Sequence, residues 1–232
     1  MALDMISIII PVLNEAAIVK QILTTLKPYS GIEIIVVDGG SQDNTIAIAQ
    51  PLATKVISIV GKGRAGQMNA GANIAQGNIL LFLHADTQLP PSFDSLVIEA
   101  LKRPNVVAGA FELAIEGSDR SLRWVELLVK IRSHLLSLPY GDQAIFISKQ
   151  DFIESGGFAD LPIMEDFEFI QRVKKRGRIA IASGAVTTSG RRWQKLGVWQ
   201  TTLINQLIIA GYYLGVSPTK LVKFYRGSGK NL

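Results

Sequence analysis

The sequence predicts an α/β chain, with a mostly parallel central sheet flanked by helices. Three observations lead to that expectation. Apolar, β-branched runs of strand length alternate with segments of helical periodicity through the first hundred residues. The connections between them are short, which favours parallel strands joined by covering helices. Polar clusters recur just past the apolar runs, where ligands bind in sheets of this kind.

Residues 5–10, "MISIII", read as a first buried strand. Residues 15–27 place Ile18, Ile22 and Leu26 on one helical face beside Val19 and Leu23, and Pro28 ends the run. Residues 32–37, "IEIIVV", are a second strand, and 41–50 a short helix that follows Gly39-Gly40 and stops at Pro51. Residues 55–60 form a third strand. Residues 65–76, "AGQMNAGANIAQ", are small and polar and read as helix. A fourth strand covers 78–84, and a helix opened by Pro and Ser covers 90–103. The second half is less regular: a strand at 106–115, a long helix at 120–137, a strand at 142–148 and a helix at 164–178 stopped near Gly177. Residues 196–216 are the most apolar late segment, and their longest nearly apolar stretch, 207–216, is too short to span a bilayer. A packed core helix and a helix lying in a membrane interface both fit it. Trp199, Tyr212, Tyr213 and the following "KLVKFYR" support the second reading.

The chain of 232 residues is 48% hydrophobic and 19% charged, enough for a sizeable core. It has no cysteine, which excludes a disulfide framework, a thiolate nucleophile and a Cys-based zinc site and fits a reducing, cytoplasmic compartment. Two histidines, His84 and His134, are too few for an all-histidine metal cage, and His134 falls in an apolar-patterned helix as a structural residue. The first apolar run lacks a basic flank and is too short for a signal peptide. The net charge of +5 conceals an asymmetry: all 19 acidic residues precede position 171, whereas 12 of the 24 Lys/Arg follow it. The late part therefore suits an anionic partner, namely a membrane surface, phosphates or nucleic acid, or forms a solvated basic face balancing the acidic body.

Four motifs occur in order: "PVLNE" (11–15), "VVDGGSQDNT" (36–45), "HAD" (84–86) and "MEDFEF" (164–169). Asp38 ends a buried strand, and the two glycines after it let backbone approach a ligand closely. Asp38, Ser41 and Asp43 also suit a turn and a helix cap. "GKGRAGQMNAGAN" (61–73) is Gly-rich and basic but lacks P-loop spacing, and Arg64 within it is a fork-shaped donor suited to a base or phosphate. Asp86 and Asp166 each have a bland reading too, as a turn residue and as a helix-dipole partner.

The ordered set resembles a family 2 glycosyltransferase of GT-A fold, the Rossmann-like nucleotide-diphospho-sugar transferase architecture. More narrowly it is similar to the radical-SAM/selenodomain-associated transferase 2 subgroup. The resemblance covers about residues 5–195, which leaves 196–232 as a basic, apolar helical extension packed on that domain or on a membrane surface. It implies an inverting transfer from a nucleotide-diphosphate sugar donor to an unidentified acceptor hydroxyl. Pro11, Leu13, Glu15, Asp38, Gly40, Arg64, His84 and Ala85 would hold the nucleotide. The family carries Asp-x-Asp where this chain has His84-Ala85-Asp86, so Asp86 alone would bind Mn²⁺ or Mg²⁺. Asp166 would be the base for the acceptor. Asp142, Gln143, Glu165, Arg191, Arg192 and Trp193 would face the acceptor or diphosphate. A sugar-1-phosphate nucleotidyltransferase is the enzymatic alternative, but it would open with a Gly-rich, Arg-bearing loop that "PVLNEAAIVK" does not contain. A non-catalytic nucleotide- or polyanion-binding module is the other alternative.

Overall fold

The structure, a computed structural model, describes residues 4–227. The end of the expected basic extension, 228–232, lies outside the described residues. Four parallel strands form the first part of the sheet: β1 (Ile6–Val12), β2 (Ile32–Asp38), β3 (Lys55–Ser58) and β4 (Ile79–Phe82), in the order β3-β2-β1-β4. The helices α1 (Val19–Leu26), α2 (Thr45–Ala49) and α3 (Gly63–Ile74) connect them. Ile6, Ile8, Ile10 and Val12 enter the core on one face with Val19, Leu23 and Leu26 of α1; Ile9 enters the opposite core with Ala65, Met68 and Ala72 of α3. Both faces of β1, β2 and β4 are covered, so these strands are mostly apolar rather than alternating, with the buried Ser7–Glu33 hydrogen bond as the polar exception. The small residues of α3 let it sit close on the sheet. A Cβ on Gly71 would lie 2.5 Å from the Ile9 side chain and 3.1 Å from that of Val37.

The sheet continues through β5 (Thr87–Gln88), β6 (Val106–Ile115), β7 (Phe146–Ser148) and β8 (Arg178–Thr188), in the order β4-β7-β6-β8-β5. β7 is antiparallel to β4 and β6, β8 is parallel to β6, and β5 is antiparallel to β8. The sheet is thus parallel in its first half and mixed in its second. Helices α4 (Phe93–Leu101), α5 (Arg120–Leu136), α6 (Lys149–Glu154) and α7 (Glu165–Val173) cover it. The strand expected over 142–148 begins only at Phe146, because Gly141–Gln143 forms a 3₁₀ turn and Ala144 takes a left-handed backbone, φ 50°. β8 is not readable as a strand from the pattern. The β6–β8 register shifts between Phe111 and Glu112, where Ser183 and Gly184 bulge out and interrupt the period of two.

Three further helices close the chain: α8 (Arg191–Leu196), α9 (Val198–Tyr213) and α10 (Pro218–Gly227). Ile204 and Ile208 of α9 and Leu221 of α10 pack with Met164 and Phe167 at the start of α7. Tyr212 and Tyr213 meet the Phe167 ring edge-on, each at 5.6 Å. The other side of α9 leaves Trp199, Leu203 and Leu207 exposed. The apolar segment therefore has a packed face and an open face. No described helix is long and apolar enough to cross a membrane.

Candidate active site

The turns after β1 and β2 are stitched together at the carboxyl edge of the sheet. Asn14, in a left-handed conformation, accepts from the Gln42 amide at 2.8 Å, and its own amide donates to Ser41 Oγ at 2.8 Å. The Glu15 amide donates to Thr45 Oγ1 at 2.9 Å, and that of Ala16 to Asp43 at 3.2 Å. Asp43 also accepts from the Thr45 amide at 3.0 Å, which places it one residue before the cap position, held by Asn44. Asp38 takes the turn role: its carboxylate accepts from the amides of Gly40 at 2.8 Å and Ser41 at 3.1 Å, and it is 1% exposed. Gln67, inside the Gly-rich 61–73 stretch but given no role by the sequence, donates to both strand ends, Val12 at 2.9 Å and Val37 at 2.7 Å.

Beside these turns lies a cavity of about 460 Å³, walled by Pro11, Leu13, Glu15, Arg64, His84 and Ala85 together with Asp86 and Glu165. Seven residues from three separate motifs thus meet in one place. Arg64 reaches from the first turn of α3 and lies 3.3 Å from His84 Nε2 and 3.4 Å from Glu165. Burial and the Arg64 charge push His84 down to about 3, so the ring is neutral and its Nε2 accepts. Burial raises the Glu15 carboxyl, with Arg191 opposing and Asp86 and Asp43 adding to the rise.

A second cavity, of about 420 Å³, shares Arg64, His84, Asp86 and Glu165 with the first. Its remaining wall includes Tyr140, Asp142, Asp166, Arg191, Arg192 and Trp193. Asp166 stands in the first turn of α7, directly after Met164 in a left-handed backbone, φ 69°. One carboxylate oxygen accepts from the Gly141 amide at 2.6 Å and the other from the Phe167 amide at 2.7 Å. The approach needs glycine: a Cβ on Gly141 would lie 2.9 Å from Asp166 Oδ2 and 3.2 Å from His84 Nε2. Burial raises the Glu165 carboxyl, against Arg64 and with Asp166. Asp142 is pushed up to about 6 by burial, which outweighs Arg132, with Asp166 adding to the rise. Its Oδ1 is buried without a hydrogen-bond partner, as are Nε and Nη2 of Arg192 and Nε1 of Trp193. The Arg192 guanidinium lies 3.7 Å above the Tyr225 ring.

One expected acceptor contact falls elsewhere. Gln143 is fully buried, and its amide is consumed by Phe111 O at 2.8 Å, Arg132 at 2.9 Å and Ser133 at 3.1 Å, so it braces the 3₁₀ turn instead of facing the cavity. The sequence reading also missed other wall residues, among them Tyr140, Asn205, Ile209 and Tyr225. Tyr140 adjoins the "GDQ" stretch, a usable signal; the other three lie on α9 and α10, which carry no motif.

Among the described residues no three His, Cys, Asp or Glu side chains converge as a metal cage. Two carboxylates stand at the junction of the cavities: Glu165, nearly buried and paired with Arg64 at 3.4 Å, and the more open Asp86, paired with Arg191 at 3.3 Å. One carboxylate with open space on two sides fits a hard divalent cation that takes its other ligands from phosphate and water.

Residues 7–159 match the model of glycosyl transferase family 2. A curated relative from Mycobacterium tuberculosis (strain ATCC 25177 / H37Ra), a PGL/p-HBAD biosynthesis glycosyltransferase, is 38% identical over 38% of this chain and 38% of that protein. An undecaprenyl-phosphate 4-deoxy-4-formamido-L-arabinose transferase from Shewanella sediminis is 33% identical over 47% of this chain and 34% of its own. The matched region thus spans well under half the length of these curated relatives. Among solved structures, a Pyrobaculum calidifontis mannosyltransferase in complex with GDP-Man and Mn²⁺ superposes with a TM-score of 0.64 at 18% identity, over 96% of this chain and 73% of that one. S. aureus TarS in complex with UDP-GlcNAc gives 0.63 at 16% identity, over 80% and 58%. The fold is the GT-A fold of these enzymes.

Proposed function

The chain belongs to glycosyl transferase family 2, and from that premise we propose that it moves a sugar from a nucleoside-diphosphate donor to an acceptor hydroxyl, inverting the anomeric centre. One observation carries the reading: two adjoining cavities share the Arg64–His84–Asp86–Glu165 wall, and Asp166 stands on the side away from the strand-end turns. The donor's nucleoside lies against Pro11, Leu13, Glu15 and Ala85, with Asp38 and Gly40 shaping the turn behind it. Arg64 and neutral His84 hydrogen-bond the donor at the shared wall.

The acceptor comes from the opposite side. Its oxygen bonds to the anomeric carbon as Asp166 takes the hydroxyl proton, and the bond from that carbon to the diphosphate oxygen breaks, leaving the electron pair on the nucleoside diphosphate. The amides of Gly141 and Phe167 hold the carboxylate for that transfer. No acid is needed for a leaving group already stabilised as an anion. Arg64, Arg191 and Arg192 balance its charge, and Glu165 fixes Arg64. Asp86 would hold Mn²⁺ or Mg²⁺, which neutralises the diphosphate when bound. Asp142 receives an acceptor hydroxyl.

The net charge of residues 171–232, 12 Lys/Arg and no acid, supports a peripheral position on an anionic, cytoplasmic membrane face. Nucleic acid is not an expected partner. The test of the core reading is a thermal-shift screen of UDP and GDP with Mn²⁺, followed by nucleoside-diphosphate release from UDP- and GDP-sugars. A shift with release supports transfer; a shift without release favours a binding module; no shift with either nucleotide removes the reading. Co-sedimentation of the full chain with anionic and with zwitterionic vesicles tests the surface position, and equal pelleting rejects it.

A further inference from the structure

Between α5 and α9 runs a groove of about 470 Å³ whose walls are mostly aliphatic: Val125, Leu128, Val129 and Leu136 from α5, Leu138 beyond it, and Ile209 from α9. It shares Tyr140, Asp142, Phe167, Trp193 and Asn205 with the candidate catalytic cavity, so the two are continuous. The unpartnered Asp142 Oδ1 lies where the two meet. Beyond that junction the polar lining is Arg132, which bonds Gln143 at 2.9 Å and lies over the Tyr140 ring, Thr202, which bonds Val198 O at 2.8 Å, and Gln206; the aliphatic side chains make up most of the rest. The apolar character does not end at the groove's lips: Leu128 is 54% exposed on one side and Tyr213 62% on the other. Exposed Leu127, Ile131 and Leu135 extend it along α5. A folded protein seldom leaves so much apolar side chain open in one place without a ligand for it.

We infer that the acceptor is an amphiphile: its hydroxyl-bearing head lies at Asp142 and Asp166, and its hydrocarbon chain lies in the α5–α9 groove. This rests on the transferase reading, whose acceptor class it names. A hydrocarbon chain fits better than a peptide strand because most of the groove's wall is aliphatic, and Arg132 and Thr202, two of the three polar residues beyond the catalytic junction, already hydrogen-bond within the protein. A chain longer than the groove passes out between Leu128 and Tyr213 onto the exposed face of α5.

The probe is a series of n-alkyl β-D-glucosides, hexyl to decyl, kept below their micelle concentrations. Binding is read by tryptophan fluorescence and calorimetry in the absence of donor. Affinity is expected to rise about two- to fourfold per added methylene, as hydrocarbon is taken from water. Leu128→Asp, at a half-open position that folding tolerates, flattens that dependence; Leu135→Asp, outside the groove, keeps it. Circular dichroism confirms that both fold. Affinity independent of chain length in the wild type overturns the proposal, as does an unchanged dependence in Leu128→Asp. Loss of the dependence in Leu135→Asp with retention in Leu128→Asp also overturns it, by placing the chain on the outer face of α5. The nucleotide thermal shifts judge the transferase reading separately. Shifts without chain dependence sink the groove alone, and chain dependence without any nucleotide shift sinks the acceptor role.

Discussion

The two cavities share a wall, yet their outer sides are built by different means. On the strand-end side, Pro11, Leu13, Glu15, Ala85 and Asp86 each follow or end a parallel-sheet segment, and hydrogen bonds between the turns hold them in place. On the far side, Tyr140, Asp142, Asp166, Trp193 and Asn205 come from a 3₁₀ turn and three helices, brought together by the packing of Met164 and Phe167 against Ile204, Ile208 and Leu221. The first side is located by backbone topology and the second by side-chain packing. Changes on the first should act locally, on nucleotide and metal. Changes on the second should act on acceptor chemistry and on the seating of the C-terminal helices.

The largest expected effect breaks the chemistry on the packed side alone. Asp166→Asn should lower sugar transfer by about 10²–10⁴-fold, the usual contribution of a general base. The thermal shift with nucleotide should stay within experimental error of wild type, because Asp166 does not line the strand-end cavity. Transfer within threefold of wild type would move the base elsewhere.

At the shared wall, Asp86→Ala should raise the Mn²⁺ concentration giving half-maximal transfer on the order of 10–100-fold, comparable to other disrupted metal shells. Arg191→Ala should lower that midpoint, since it removes the 3.3 Å ion pair that competes for the same carboxylate. Movement of both variants in the same direction would show that Asp86 does not hold the metal. Gly141→Ala tests the backbone approach: its Cβ would sit 2.9 Å from Asp166 Oδ2. Displacing the base should lower kcat about tenfold or more, because catalysis is sensitive to ångström-scale misplacement. Nucleotide affinity, which the same Cβ touches through His84 Nε2 at 3.2 Å, should fall by less than kcat does, as read by titration calorimetry.

The same contrast explains what the sequence revealed. β1, β2 and β4 were legible because each is a largely apolar run buried on both faces, β3 by its β-branched edge run, and the residues after them because parallel topology brings all those ends to one edge. The family resemblance supplied Asp166, because two neighbouring carboxylates at a helix start, Glu165 and Asp166, have an ordinary dipole explanation. β8 was hidden by its bulge at Ser183-Gly184, and the strand at 142–148 was shortened by a 3₁₀ turn that local pattern does not announce. Asn205, Ile209 and Tyr225 were invisible for a different reason. Each looks like an ordinary residue of a helix, and only packing against Phe167 and its neighbours turns it toward the site. Gln143 was misread because an amide beside an Asp resembles a sugar contact, whereas burial spends all its hydrogen bonds on the chain itself.

The smallest effect concerns the cost of the packed side in the absence of ligand. Asp142 is held at about 6 by burial, against Arg132 and with Asp166 and Asp86 nearby, whereas the ordinary value is 3.8. The folded chain therefore binds this proton more tightly than the unfolded chain does. Below pH 4 both states hold the proton and nothing is lost. Between 4 and 6 the folded state loses stability as pH rises, and above 6 the full cost of the buried charge is present. Asp142→Asn should remove that cost, by at most about 3 kcal/mol at pH 7 to 8. The gain should shrink through the interval and vanish near pH 4, as read by urea denaturation of both proteins across that range. A gain independent of pH would mean that the site accommodates the carboxylate as well as the amide, and a loss would mean that the ionised Asp142 and Arg132 stabilise the fold as a pair. An acceptor hydroxyl that donates to Asp142 should oppose the same cost, so saturating alkyl glucoside should narrow the difference between the two proteins at pH 7.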